Sequence, residues 1–511
     1  MPATLARRYI FKLGANLASV PVYLAMEAIL PRALGPQAYG NFSFSTSVFQ
    51  QFSGFLDMGT STCFYNALSR NQTSAALLAF YLRIALLVAA ITMCAGFLAL
   101  WPPAAALLLP DVPIWYAPLA ALWALLTWWG RVLRSANDAL GATIHSEIWR
   151  AALSLIGTGL LAALYLAGWL DIKTLFLQQY LLLGATALAF WLVAKKHWAA
   201  SGIALHWRLR SRQKKIFTAQ FFRYSHPLLV QALLSFIMLT AERWLLQWFD
   251  GSSQQGFYAL SQKVSMACFL FVSAMTPLLM REFSIAWGRK DAAAIGSLLT
   301  RFAPALYALA AYFSCFTVAE GRTMVWIFGG DKFLAATLPV QIMALYPLHQ
   351  AYGQMASSVF HATGKTGILR NLTACECVYG LAAAWALLAP PELWGLNLGA
   401  TGLAIKTVSV QFLSVNICLW LASRFVPFAF WKNLGQQILV VAFLLFLAYA
   451  SREVSQELAF LEGRFLARFI VSGFLYSAAV VSVAIIAPRL FGVSRADAKE
   501  LIRRVRRHFR K

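Results

Sequence analysis

The chain has 511 residues, of which 60% are hydrophobic and only 12% charged, with a mean hydropathy of +0.65. Soluble domains carry about 25% charged residues, so this composition excludes a soluble globular protein and indicates an all-α, polytopic membrane protein. The net charge of +24 would suggest nucleic acid in a soluble chain, but in a membrane chain it must first be divided by side of the bilayer.

Apolar runs of about 20 residues, enough to cross roughly 30 Å of hydrocarbon, fall at 11–31, 41–62, 76–100, 113–133, 151–170, 174–194, 226–248, 257–280, 297–319, 334–360, 369–389, 398–422, 434–450 and 466–488. These make fourteen predicted transmembrane helices. The first follows basic residues but no small-residue cleavage site, so it is expected to be a retained span and not a signal peptide.

Counting Lys and Arg in alternate loops places 31 on the side of the two termini and six (Arg32, Lys173, Arg322, Lys332, Arg452 and Arg464) on the other. Basic loops are retained in the cytoplasm, so both termini are expected there. The longest polar interval, Lys195–Arg223, holds eight Lys and Arg and no acid. It is expected to be a cytoplasmic linker at 195–225, between six-helix bundles at 1–194 and 226–424. Two extra helices at 425–488 and a basic cytoplasmic tail at 489–511 complete the chain. The tail residues Arg503, Arg504, Arg506, Arg507, Arg510 and Lys511 suit anionic membrane lipids, and no nucleic acid partner is needed.

Six cations (Arg83, Arg243, Lys263, Arg301, Lys406 and Arg468) and four acids (Glu27, Asp57, Glu242 and Glu376) lie inside spans. Each costs roughly 2.5–3.5 kcal/mol at the bilayer centre, so they are expected to face an interior or a cavity. Polar residues also form stripes along single helix faces: Lys12, Asn16, Ser19, Tyr23 and Glu27; Ser43, Ser47, Gln50, Gly54 and Asp57; Tyr346, Gln350, Gln354, Ser357 and His361. Cavity lining and helix packing both account for such stripes. The seven cysteines lie in or beside apolar runs and read as small hydrophobes. Cys375 and Cys377 lack the spacing and the second ligand pair of a metal site, so neither a metal nor a cofactor is expected.

The two halves read as copies. Gly35 and Gly40 join the first two spans, and Gly251 and Gly256 join the seventh and eighth, with the same spacing and at the same place in each half. Ser19 and Ser235 precede the first glycine at equal distance, and Ser45 and Ser261 follow the second. Arg83 and Arg301 fall in the third span of each half. The segment Ala139–Thr143 parallels His361–Lys365. Six spans return the chain to its starting side, so the repeat is parallel, with two bundles expected to face each other across a central cleft.

The segments Leu30–Phe42, with Arg32, Leu34, Gly35, Pro36, Tyr39, Gly40 and Phe42, and Leu56–Ser61, with Asp57 and Gly59, resemble the polysaccharide-exporting flippases of the multidrug/oligosaccharidyl-lipid/polysaccharide exporter superfamily. Met58 and Thr60 depart from the aliphatic residues usual there. The resemblance implies a non-enzymatic flippase in a bacterial inner membrane. It would move undecaprenyl-pyrophosphate-linked oligosaccharide, such as an O-antigen unit, to the periplasmic leaflet by alternating access. Its partners would be that lipid, membrane lipids and the glycan polymerase machinery.

On this reading Arg83, Arg301, Lys263 and Lys406 are head-group ligands, joined by Lys12, Asn16, Tyr23, Gln50, Gln350 and Gln354 for the glycan. Glu27, Asp57, Glu242 and Arg243 serve pairing or coupling, and Gly35, Gly40, Gly251 and Gly256 serve as gate or turn. Two alternatives stay open. A drug or metabolite cation antiporter of the same superfamily would favour an acidic lumen. A membrane glycan polymerase or ligase usually presents a large periplasmic loop, and the non-cytoplasmic loops here are short. No P-loop is present for ATP-driven transport.

Overall fold

In a computed structural model, backbone is described for residues 5–70, 74–200, 209–273, 276–458 and 463–492. Side chains are described over the same ranges except 5–20, 70, 200, 227, 270–273, 276–278, 281 and 366. Among the described residues the chain is helical, without strands. Nine helices there are long and apolar enough to cross a membrane, which makes this a multi-pass membrane protein.

The helix α1 (Leu5–Asp57) runs through the first two predicted spans but breaks at Gly35, where φ is 74° and ψ 172°. That region is open essentially to glycine, and Pro36 then restarts the helix at a position where its missing amide costs nothing. The helix α8 (Ser211–Ser273) passes through the seventh and eighth spans in the same way, breaking at Gly251 with φ 75° and ψ −177°. The two copies of the glycine turn therefore share one backbone state.

The second glycine of each turn serves close approach. A Cβ on Gly40 would overlap the carbonyl oxygen of Ser252, and a Cβ on Gly256 would overlap that of Pro36. The residue just past each break thus meets the second glycine of the other turn, a reciprocal crossing of two backbones. The serines at matching positions beyond it, Ser45 and Ser261, are both fully buried and return their hydroxyls to the preceding turn, onto Asn41 O and Tyr258 O at 2.7 Å each.

By contact the chain divides into two units. The first comprises Met1–Gly256 with Leu388–Asn397, and the second Phe257–Leu387 with Leu398–Lys511. The first unit holds α1, α2 (Thr60–Arg70), α3 (Ala75–Leu98), α4 (Pro102–Leu108), α5 (Tyr116–Ala139), α6 (Thr143–Leu166), α7 (Ile172–Ala200) and the opening segment of α8. Here α5 packs on α7, and α1 on both α5 and α6. An aromatic cluster anchors α2, α3 and the start of α8: Phe64 stacks on Tyr81 at 4.1 Å between ring centres, and Phe80 meets the edge of Phe221 at 5.2 Å. At the α5–α6 corner the wholly buried Glu147 accepts from Arg134 Nε and Arg150 Nε, each at 2.7 Å. The basic interval of the sequence is largely helical, ending α7 and opening α8, while 201–208 lie outside the described residues.

The second unit holds the rest of α8, then α9 (Thr276–Gly288), α10 (Ala292–Ala319), α11 (Gly321–Gly329), α12 (Thr337–Met343), α13 (Tyr346–Ala362), α14 (Thr366–Leu388), α15 (Gly399–Ser423), α16 (Phe430–Glu457) and α17 (Phe465–Ile486). The tenth predicted span is not one helix: a 3-10 turn at Asp331–Ala336, α12 and α13 share it. Pro347 explains the second break, since it sits in the first turn of α13, where the missing amide is tolerated, and could not extend α12 without losing a helical hydrogen bond.

In this unit α16 packs on α10 and α17 on α16. Tyr312 stacks on Tyr476 at 5.1 Å, and Tyr476 Oη donates to Tyr312 O at 3.0 Å. The outward faces of these helices remain apolar, Phe474 being 73% exposed and Ile486 75%, as suits lipid contact. The matching corners α5–α6 and α13–α14 end alike. Gly141 and Gly364 have φ of 80° and 72°, and the next amides, Ala142 N and Lys365 N, donate to Asn137 O and Phe360 O at 2.8 and 3.0 Å, the Schellman closure. The basic tail and its arginines lie outside the described residues.

Replacing Gly40 or Gly256 by Ala should abolish accumulation of folded protein in the membrane. Gly54→Ala and Gly184→Ala, where a Cβ meets nothing within 4 Å, should accumulate normally. Fluorescence-detected size exclusion of tagged variants checks this; normal elution of Gly40→Ala would remove the crossing from the account.

Candidate functional site

In the first unit the glycine crossing is wrapped in polar side chains. Arg243, only 7% exposed, donates through Nη1 to Gln255 Oε1 at 3.2 Å and approaches Ser43 Oγ at 3.4 Å. Gln255 returns a bond to Arg243 O. Ser252 Oγ donates to Asn41 Oδ1 at 2.5 Å and accepts from Gln247 Nε2 at 2.9 Å. Gln247 also donates to Pro110 O at 3.0 Å, tying α8 to the segment after α4. This network pairs the polar side chains around the two turns with one another and with the carbonyls of Arg243 and Pro110. The predicted turn glycines and Arg243 thus lie together.

Asp57, expected on sequence to serve pairing or coupling, is hydrogen-bonded within its own turn. Its Oδ1 accepts from Thr60 Oγ1 at 3.0 Å and Ser61 N at 3.1 Å, and its Oδ2 accepts from Ser61 Oγ at 2.7 Å. Met58 and Gly59 have φ of 43° and 77°. The Asp-Met-Gly-Thr-Ser segment is therefore a left-handed turn whose carboxylate caps one amide, Ser61 N, in the first turn of α2. Of the other predicted residues in this unit, Glu27 and Glu242 are buried, while Tyr23, Gln50 and Arg83 are half-buried. The side chains of Lys12 and Asn16 lie outside the described residues.

The second unit contains a polar cavity of about 330 Å³ between α13, α14 and α15. The predicted stripe of the tenth span supplies one wall, through Gln350, Gln354, Ser357 and His361, and Glu376, Gln411 and Ser414 stand opposite. Their contacts form two groups. Tyr346 Oη donates to Gln350 Oε1 at 3.1 Å, Gln411 Nε2 donates to the same oxygen at 3.1 Å, and Ser414 Oγ donates to Glu376 Oε2 at 2.8 Å. Amides, hydroxyls and a carboxylate that offer both donors and acceptors suit a polyhydroxylated ligand.

The four cations expected as head-group ligands are not brought together in this cavity. Lys406 is buried in α15 and Lys263 half-buried in α8, and neither lines it. Arg301 lines a different cleft, at the start of α16, and Arg83 belongs to the first unit. Sequence reasoning passed over Gln411, Ser414 and Thr373, and left Glu376 without a site role. Their signal was present: Thr373 and Glu376, and likewise Gln411 and Ser414, are three residues apart on one helix face.

The fold matches solved membrane transporters. It superposes on the lipid II flippase MurJ in an inward closed conformation with a TM-score of 0.67, at 13% identity, covering 94% of this chain and 99% of that one. An inward-facing multidrug resistance MATE family transporter of the MOP superfamily matches with a TM-score of 0.57, at 14% identity over 82% of this chain and 98% of that one. No curated protein sequence matches significantly. The molecule is therefore a multi-pass membrane protein with the fold of the multidrug/oligosaccharidyl-lipid/polysaccharide exporter superfamily. More narrowly, a family profile described as "Polysaccharide biosynthesis protein" matches residues 5–279, more than half of the chain, which belongs to that family.

Water should reach the cavity wall and not the helix side behind it. In a cysteine-free background, Gln354→Cys should react readily with a hydrophilic maleimide in detergent solution. Ala356→Cys, on the same helix and fully buried, should resist it; equal labelling rates would contradict the cavity.

Proposed function

We propose that this protein is a flippase that carries undecaprenyl-pyrophosphate-linked oligosaccharide, such as an O-antigen unit, from the cytoplasmic to the periplasmic leaflet of a bacterial inner membrane. Both termini lie in the cytoplasm on this reading, as the 31-to-6 division of basic loop residues supports. The observation that carries the proposal is the cavity of the second unit, an amide- and hydroxyl-lined space in a family of polysaccharide biosynthesis proteins. Sugar hydroxyls bond to Gln350, Gln354, Ser357 and Gln411, and Glu376 accepts from them, since a carboxylate accepts strongly from hydroxyl donors.

The diphosphate is drawn to the span cations Arg83, Lys263, Arg301 and Lys406, Arg offering a bidentate fork and Lys a point charge. Access alternates between the leaflets without ATP. A head group of about −2 moving outward runs with an inside-negative potential, which favours the step by roughly 2.3 kcal/mol per charge per 100 mV. The polymerase machinery receives the delivered lipid. The bundles at 1–194 and 226–424 are the moving repeat halves, joined by the linker at 195–225.

A second reading, a cation antiporter, draws on one observation: among the described residues lining the cavity, Glu376 is a carboxylate and none is Lys or Arg. Export separates the two. In cells lacking this protein, the lipid-linked intermediate should accumulate on the cytoplasmic face, inaccessible to a periplasmic probe. Complementation by a Gln354→Ala/Glu376→Gln variant should lower delivery about tenfold or more at unchanged membrane level, a loss of at least about 1.4 kcal/mol of binding. Normal delivery with loss of resistance to cationic compounds would favour the antiporter.

A further inference from the structure

Beside the α8 break, two oxygens are shut away from solvent and accept from no donor among the described residues. One is Oε1 of Gln247, a residue only 1% exposed. The other is Oδ2 of the half-buried Asp250. The two residues lie three apart, on one face of the last helical turn before Gly251. The Gln247 amide has one orientation open to it. Its Nε2 donates to Pro110 O at 3.0 Å and to Ser252 Oγ at 2.9 Å, and because a carbonyl oxygen only accepts, the nitrogen must face it. Oε1, on the same carbon, is left beside Pro110 and Ser252 with lone pairs alone.

The donors nearby are already committed. Ser252 Oγ donates to Asn41 Oδ1, and Arg243, a turn earlier than Gln247, donates to Gln255. A second carboxylate stands across the turn: a Cβ on Gly251 would come within 3.4 Å of Asp111 Oδ2, and Asp111 is exposed. Among the described residues neither Asp250 nor Asp111 forms a salt bridge. Two carboxylates gathered at one turn repel unless a cation joins them. Asp250 also ends a helical segment, where the negative pole of the macrodipole disfavours an acid and favours a cation. Water would fill the orphaned lone pairs but would not answer the charge.

We propose that this turn binds a hard divalent cation, Ca²⁺ by preference, between Gln247, Asp250 and Asp111. Hard cations take oxygen ligands from carboxylates and amide carbonyls, completed by water, and those are the groups gathered here. Gln247 Oε1 and Asp250 Oδ2 supply the buried side, and the Asp111 carboxylate closes from the exposed side, by which the ion enters. Calcium fits better than magnesium because its coordination is flexible, whereas magnesium demands near-ideal octahedral geometry. Bound there, the ion ties the segment after α4 to the helix break, alongside the bond from Gln247 to Pro110 O. An all-oxygen site uses no cysteine or histidine, so spacing rules for zinc ligands pass over it. The proposal does not rest on what the protein transports.

The test is isothermal titration calorimetry of the purified full-length protein, stripped with a chelator and titrated separately with calcium chloride and magnesium chloride. The wild type should bind one Ca²⁺ saturably and more tightly than Mg²⁺, and its unfolding midpoint should rise with calcium. Asp250→Asn and Asp111→Asn, which remove charge at nearly constant shape, should each weaken calcium binding about tenfold or more, since affinity follows the count of charged ligands. Asp111 is exposed, so its variant tests the site even where Asp250→Asn accumulates poorly. Glu453→Gln, at an exposed position of the second unit, should leave the affinity within about twofold. Absence of saturable calcium binding, or binding that both Asp variants leave unchanged, overturns the proposal and assigns the two oxygens to ordered water. Neither result depends on a transport assay.

Discussion

The reciprocal crossing of two backbones at Gly40 and Gly256 is the contact on which the first unit depends. Each lies five residues beyond a helix break, and each faces a carbonyl oxygen that leaves no room for a Cβ. Asn41, Arg243, Gln247, Ser252 and Gln255 gather around the crossing and bond chiefly to one another.

The same economy governs other charges in the apolar chain. Glu147 holds two arginines at the α5–α6 corner, and Asp57 caps a short helix after a left-handed turn. Both carboxylates sit where three or more donors converge or where two guanidinium groups meet, the conditions under which a charge is tolerated away from water.

Most of the fold was legible in the sequence because membrane thickness fixes span length and glycine marks the turns. Equal spacing of Gly35–Gly40 and Gly251–Gly256 anticipated two turns, and the backbone adopts the same state at both. The pairing of Ala139–Thr143 with His361–Lys365 was legible for the same reason: Gly141 and Gly364 close both helices with positive φ. The tenth span misled, because hydropathy averages over a proline that divides α12 from α13.

The site was legible only in part. A stripe on one helix names half of a cavity, so Gln350, Gln354, Ser357 and His361 emerged from periodicity, whereas Glu376, Gln411 and Ser414 needed tertiary structure to bring α14 and α15 opposite. Charge inside a span flags a residue without giving its address, which is why Arg301, exposed in the structure, and Lys406, buried, could be singled out without being placed together.

The central claim is movement of a lipid-linked glycan across a bilayer, and it is tested most directly in proteoliposomes holding only this protein and a fluorescent polyprenyl-diphosphate oligosaccharide. The account predicts protein-dependent transfer of the lipid between leaflets, read by an impermeant quencher and accelerated when the receiving side is made electrically positive. Transfer no faster than in protein-free vesicles, alongside proton-coupled uptake of a cationic dye, would contradict it.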